Sequence, residues 1–365
     1  MIARRKFIQF FLSTLAAASV PAVSRALSFA HPALLPTEPN LEVLPTTPEE
    51  VLTRASKFKV IGVGGGGANA VQHMIASGVP EVDYIFANTD MDALSRCGGH
   101  RTIQLHRRTL SARTKLDRCR ETAELAANDI RAAIKGTDML FITAGLGGVT
   151  GTGAAPLIAH IAREMGIATV GVVTLPFEFE GGHRLRKAGA GLIDLRANVD
   201  SLIVVPNDKL LDVLGDGVTQ DEAFGYINDH MKAIIGGIVE ITNVPSFVNV
   251  DFSDVLTIMS EPGITVLGTA TASGPARAQC AAQQALACPM QDSADLSGAK
   301  GMLVMITAAQ ATLKLSDVKV AVNTIRAHSS PDAHFIYGTT YDKSLKDEIR
   351  VTMVATGLNL PREAP

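Results

Sequence analysis

Two stretches of this chain have the composition to hold phosphate. The first is Gly62-Val63-Gly64-Gly65-Gly66-Gly67-Ala68-Asn69, and the second is Gly145-Leu146-Gly147-Gly148-Val149-Thr150-Gly151-Thr152-Gly153. Each follows an apolar run and leads into a run of helical composition. Where no Cβ intervenes, backbone N–H groups can close on phosphate oxygens, and the N-terminus of the following helix adds a favourable dipole. One such loop is common in α/β proteins. Two of them on strands of one sheet describe a pocket that grips a polyphosphate from both sides, so nucleotide binding is the first expectation.

The loops need strands to carry them. Lys57–Val63 reads as a strand entering the first loop, with a helix over Ala68–Ala76 and a second strand at Asp83–Ala87. Asp117–Lys135 has helical spacing, Asp138–Ala144 is a strand feeding the second loop, and Ala154–Glu164 is the helix after it. Strand Ile167–Thr174, helix Leu185–Leu195 and strand Ser201–Val205 continue the alternation. That pace predicts an α/β fold with a doubly wound, mainly parallel sheet. A long central helix follows over Gln220–Thr242. Beyond it, strands are expected at Val255–Met259, Ile264–Ala272, Gly301–Thr307, His334–Thr340 and Val351–Ala355. Helices at Arg277–Ala287 and Ser316–Ala327 separate some of them, as in a smaller α+β domain. The expected organisation is a nucleotide domain over 57–219, a central helix over 220–243 and a second domain over 244–360.

Bulk properties narrow the partners. The chain has 365 residues, a formal net charge of −3, 5% aromatic residues and no Trp. That argues against a nucleic-acid binder, which would show a basic excess or stacking platforms. The cysteines, Cys97, Cys119, Cys280 and Cys288, show no metal-ligand spacing, so reduced thiols are expected. At the N-terminus Arg4-Arg5-Lys6-Phe7 precedes an apolar run from Ile8 to Val23. Residues 1–30 thus resemble a twin-arginine export signal, and a membrane-binding helix or an inert extension reads equally well. Five prolines between His31 and Glu50 make 31–56 an extended linker.

Several motifs follow in order from about Lys57 to Leu358. They are Val63–Asn69, Asn88-Thr89-Asp90, the second glycine loop, and Pro176-Phe177-Glu178-Phe179-Glu180-Gly181. Pro206-Asn207-Asp208-Lys209, Ala223-Phe224-Gly225, Asn228-Asp229, Asn249–Asp254, Asn323–Arg326 and Arg350–Gly357 complete the set. In this order they resemble the bacterial FtsZ family, relatives of tubulin. The resemblance implies GTP/GDP as ligand, with Mg2+ held mainly through the phosphates. The backbones of Gly64, Gly65, Gly66 and Gly67, with Asn69 beyond them, and of Gly147, Gly148, Gly151 and Gly153 would cradle phosphate. Thr150 and Thr152 would add hydroxyls, Glu180 would bind ribose, and Arg184 would approach phosphate. Asn207 and Asp229 would read guanine, and Phe224 would stack on it.

The same resemblance implies that Asn249, Asp251 and Asp254 complete the site of a neighbouring subunit, where two carboxylates polarise the attacking water. Head-to-tail contacts of that kind make open filaments. The implied function is a GTPase activated by self-assembly that acts in bacterial cell division, in the cytoplasm at the division site or membrane surface. The alternative is a non-hydrolysing paralogue that co-assembles with a standard FtsZ and regulates it. A nicotinamide-dependent oxidoreductase, suggested by Gly62, Gly64 and Gly67 alone, needs neither the second loop nor Asn249–Asp254. Asp251 and Asp254 would otherwise be solvated turn carboxylates, and Phe224 a core residue.

Three departures from the family pattern stand out. Val149 replaces a glycine and is tolerable only at negative φ. No glycine occurs between His100 and Lys135, so the loop Leu110–Asp117 offers Arg113 or Lys115 in place of backbone donors. The sequence ends soon after the last motif, without the family's linker and C-terminal peptide, which leaves membrane attachment through residues 1–30 as an expectation.

Overall fold

The architecture, taken from a computed structural model, is described for residues 56–79, 81–105, 124–215, 217–243, 250–287 and 296–358. Residues 1–30, nearly all of the linker, the loop at 110–117 and Asn249 lie outside the described residues.

The N-terminal half alternates strand and helix. It begins with β1 Phe58–Val63, α1 Gly64–Ser77, β2 Val82–Asn88, α2 Met91–Ser95 and β3 Arg101–Gln104. Then come α3 Ala127–Ile134, β4 Met139–Gly145, α4 Val149–Glu164, β5 Ala168–Leu175, α5 Gly182–Arg196 and β6 Ser201–Pro206. A short α6 Lys209–Leu214 leads to the long α7 Gln220–Asn243. The C-terminal half holds α8 Phe252–Met259, β7 Ile264–Ala272, α9 Arg277–Leu286, β8 Gly301–Ala308, α10 Leu315–Arg326, β9 His334–Tyr341 and β10 Ile349–Leu358.

Among the described residues the strands form one sheet in the order β3-β2-β1-β4-β5-β6-β7-β10-β8-β9. The first six run parallel, in the order of a doubly wound dinucleotide fold. β6 meets β7 through one registered pair, Leu202 and Ile264, and β10 then runs antiparallel to both β7 and β8. The mixed, mainly parallel sheet is the expected fold class.

Period-two burial on both faces explains why these strands are almost wholly apolar. Phe58, Val60, Met139 and Phe141 enter a core shared with α1 and α7, while Ile61, Val63, Leu140 and Ile142 enter the core under α3, α4 and α5. A third core joins α9 and α10 to β8 and β10.

One expectation is corrected. Val255–Met259, read as a strand, is the body of helix α8. A five-residue apolar run cannot separate the two states by itself. Here Val255, Ile258 and Met259 are the buried residues, a helical spacing, and Asp254 caps the helix start. Both glycine loops also turn helical earlier than expected, at Gly64 and Val149 rather than Ala68 and Ala154. Tertiary packing overrides the poor helix propensity of glycine there.

Candidate functional site

The C-terminal ends of β1, β4, β5 and β6 open into a cleft of about 740 Å³. Helices α1 and α4 begin at its floor, and their glycines divide into two kinds. Some let backbones touch: a Cβ on Gly67 would lie 2.3 Å from Thr143 O, and one on Gly151 would lie 2.6 Å from Gly145 O. Gly64 and Gly147 turn with φ of +71° and +92°, a region open to glycine at no steric cost. Others face the cleft. A Cβ on Gly65 would meet nothing within 4 Å, so the space above it is free for a ligand.

Of the expected phosphate ligands, Gly65, Gly66, Gly148, Thr150 and Gly151 line the cleft. Gly64, Gly67 and Gly147 are buried behind it, Gly153 borders a separate depression, and Asn69 is exposed outside its lining. Thr152 is fully buried, and its Oγ1 accepts the Gly147 N–H at 2.8 Å, so it braces the loop instead of facing the cleft. Thr150 Oγ1 lies 3.1 Å from Thr89 Oγ1, a bridge to the Asn88-Thr89-Asp90 turn that sequence spacing does not show. Val149 is the first residue of α4, is not among the residues of positive φ, as its β-branch requires, and lines the cleft.

Glu180 and Arg184 sit on the same wall and hold each other. Glu180 Oε2 pairs with Arg184 Nη1 at 2.6 Å, and Oε1 accepts the Phe177 N–H at 2.9 Å. At the far end Phe224 is 42% exposed and lines the cleft, so it is no core residue. Its ring stands edge-on to Phe177, at 6.4 Å, and Phe177 stacks on Phe179 at 4.7 Å. Asn207 is buried, and its Oδ1 has no hydrogen-bond partner. An orphaned buried acceptor beside an aromatic wall fits a planar ligand carrying N–H donors.

Asp229 is not brought to this cleft. Its Oδ1 lies 2.7 Å from His73 Nε2 on α1, and it borders a separate shallow depression. Five residues on a helix turn it well away from Phe224, whereas Asn228, four residues on, shares Phe224's flank. Helical phase would have distinguished the pair in the sequence.

The carboxylate loop lies at the other end of the sheet. Asp251 is exposed at the start of α8, and Asp254 Oδ2 accepts the Asp251 N–H at 3.3 Å. The next residue, Phe252, packs on Phe58 at the first residue of β1, whereas the cleft lies past the last.

Comparison with known proteins places both halves of the chain in one family. Residues 57–215 match the Tubulin/FtsZ family, GTPase domain, and residues 263–359 match the FtsZ family, C-terminal domain. The chain is 44% identical over 314 residues to the cell division protein FtsZ of Buchnera aphidicola from Schizaphis graminum, covering 85% of this chain and 82% of that protein. It is also 44% identical over 312 residues to the cell division protein FtsZ of Coxiella burnetii, covering 85% and 81%. Among solved structures, an empty FtsZ dimer of M. jannaschii superposes with a TM-score of 0.75 at 32% identity, covering 87% of this chain and 96% of that one. The fold is shared with CetZ2 from Haloferax volcanii, solved as a GTPγS-bound protofilament, with a TM-score of 0.70 at 21% identity, covering 84% of this chain and 94% of that one. This chain belongs to the Tubulin/FtsZ family and carries its GTPase domain.

Proposed function

We propose that the cleft binds GTP, that subunits join head-to-tail, and that each junction hydrolyses the nucleotide with carboxylates from the neighbour. The observation that carries this reading is the separation of the two half-sites. The cleft opens past the end of β1, and Asp251 and Asp254 sit beside its start, so neither carboxylate can serve its own subunit's cleft. A strand of six residues spans about 17 Å. Stacking one subunit on the next brings the two half-sites together, and the contact is heterologous and open-ended.

In this mechanism the N-termini of α1 and α4 hold the phosphates through backbone N–H groups at Gly65, Gly66, Gly148 and Gly151. Glu180 meets the ribose hydroxyls, and Arg184 exchanges its ion pair with Glu180 for a phosphate oxygen. Asn207 Oδ1 accepts from guanine N1–H or N2–H, donors that adenine lacks at those positions. Asp229 takes part only by leaving His73. Mg2+ would be held through the phosphates and would offset their charge. In the adjoining subunit Asn249 helps orient a water and a carboxylate of Asp251 or Asp254 takes up its proton as the water attacks the γ-phosphorus, while the bond from that phosphorus to the β,γ-bridging oxygen breaks and GDP leaves. The role extends to bacterial cell division, with the basic, apolar residues 1–30 as the means of membrane attachment.

The test is GTP turnover by the full chain across protein concentration, with light scattering in the same samples. Turnover per subunit that rises above a threshold together with GTP-dependent scattering supports the reading. GTP binding without turnover or scattering shifts it to a regulator that co-assembles with a standard FtsZ, a role that Val149 at the phosphate end would suit. Attachment is tested by pelleting with anionic vesicles. A chain beginning at Glu50 that pellets as well as the full one overturns it.

A further inference from the structure

Gln220 is the first residue of α7 and lines the end of the cleft where Asn207 and Phe224 stand. Its backbone is fixed by a reciprocal cap. The N–H and Oγ1 of Thr219 donate to Glu222 Oε2 at 2.9 and 2.7 Å, and the Glu222 N–H donates to Thr219 Oγ1 at 3.3 Å. Such a cap satisfies the first donors of the helix and sets the angle at which the chain enters it. With the helix start pinned, Gln220 and Phe224, four residues apart, share one flank.

The surroundings narrow what Gln220 can meet. Phosphate belongs beside the helix N-termini at Gly65 and Gly148, and the wall between carries Glu180 and Arg184. At Gln220 the lining is Leu210, Leu211, Val218 and Phe224, an apolar slot suited to a flat ring. The Gln220 carboxamide is exposed and makes no hydrogen bond to another described residue. A carboxamide offers both donors and an acceptor, so it can match the mixed edge of a purine. Asn207 presents a second, buried carboxamide at the same end, with its acceptor unpaired.

We propose that Gln220 is a base-reading residue, which hydrogen-bonds the edge of the purine held against Phe224 and shares guanine selection with Asn207. The proposal rests on the guanine-nucleotide reading above and adds to it a specific polar contact from the start of α7. Replacing the carboxamide by an alkyl group of similar size leaves packing intact and removes the contact.

The experiment compares GTP and 2′-deoxy-GTP dissociation constants for the full-length wild type, Gln220→Leu, Gln220→Asn and Asn207→Ala. Gln220→Leu is expected to weaken both nucleotides by about five- to tenfold, the effect of one lost hydrogen bond, with an unchanged melting temperature. Gln220→Asn is expected to recover part of the loss. Binding by Gln220→Leu within twofold of wild type overturns the proposal. So does a loss that disappears with 2′-deoxy-GTP, because Gln220 would then be touching ribose. If neither wild type nor Asn207→Ala binds GTP, the guanine-nucleotide reading itself has failed.

Discussion

Phe252 stands edge-on to Phe58, with ring centroids 6.2 Å apart and planes at 72°. The contact fixes the start of α8 against the start of β1, inside the core that also holds Phe141. Asp251 precedes Phe252, so the same contact holds the carboxylates at the end of the sheet opposite the glycine loops. An edge-to-face pair of this kind contributes on the order of 1 kcal/mol beyond its buried area.

From that geometry, Asp254→Asn is expected to retain GTP binding and lose turnover by about 100-fold or more, the usual scale for a lost general base. An equal mixture of Asp254→Asn and Gly65→Ala chains is expected to recover about a quarter of wild-type turnover, since one random junction in four pairs an intact cleft with an intact loop. Recovery of nothing in a mixture that still scatters light would mean that the carboxylates do not act across a junction.

The glycines of the first loop are expected to separate by function. Gly65→Ala should leave the melting temperature unchanged or slightly raised, because its Cβ meets nothing and alanine favours helix, yet GTP affinity should fall at least tenfold. Gly67→Ala forces a Cβ to 2.3 Å from Thr143 O and should lower stability by about 1–3 kcal/mol. Calorimetry with and without GTP checks both; equal melting temperatures for the two variants would contradict the assignment.

Arg277 is a structural cation of the C-terminal half. Its Nη1 donates to Asp347 O at 2.8 Å, while Nη2 pairs with Asp317 Oδ2 at 2.7 Å and also reaches Thr312 O. The residue is 8% exposed, and Arg277→Met leaves the largely buried Asp317 carboxylate with the Lys314 N–H in place of the guanidinium and deprives two carbonyls of a donor. The expected cost is about 3 kcal/mol in urea unfolding. A loss below about 1 kcal/mol would show that water replaces the guanidinium there.

His230 makes stability depend on acid. Burial lowers its pKa from 6.5 to about 4, and its Nε2 has no partner. The folded chain therefore resists protonation that the unfolded chain accepts. The contribution of the neutral ring is complete above pH 6.5 and is lost as pH falls towards 4, by about 3 kcal/mol over the whole window. Urea midpoints at pH 7.5, 5.5 and 4.5 should fall more steeply for wild type than for His230→Leu. Parallel slopes would assign the acid loss to other groups.

Much of the site was legible because its chemistry is local. The two glycine runs, the Glu180–Arg184 spacing and the Asp251–Asp254 pair are each contiguous, and each depends on backbone geometry or on one helical turn. That the sheet is mainly parallel followed from the alternation of strand and helix, whereas the order of its strands is known only from the fold. Where local cues were short, as in Val255–Met259, strand and helix could not be told apart until Asp254 was seen capping α8.

The sequence by itself determined where the glycine runs and the Asp251–Asp254 pair lie and that a mainly parallel sheet carries them, because these depend on residue type and period. The tertiary structure decided which of them face the cleft. Thr152 turned inward to brace Gly147, Asp229 turned to His73, and Gln220 came to line the same cleft as Phe224. Helix phase says which residues share a flank, but which flank meets the cleft is set by contacts between elements distant in sequence, and no local pattern encodes those. The distance between the cleft and the carboxylates belongs to the same class, since the packing of α8 into the core, with Phe252 on Phe58, fixes it.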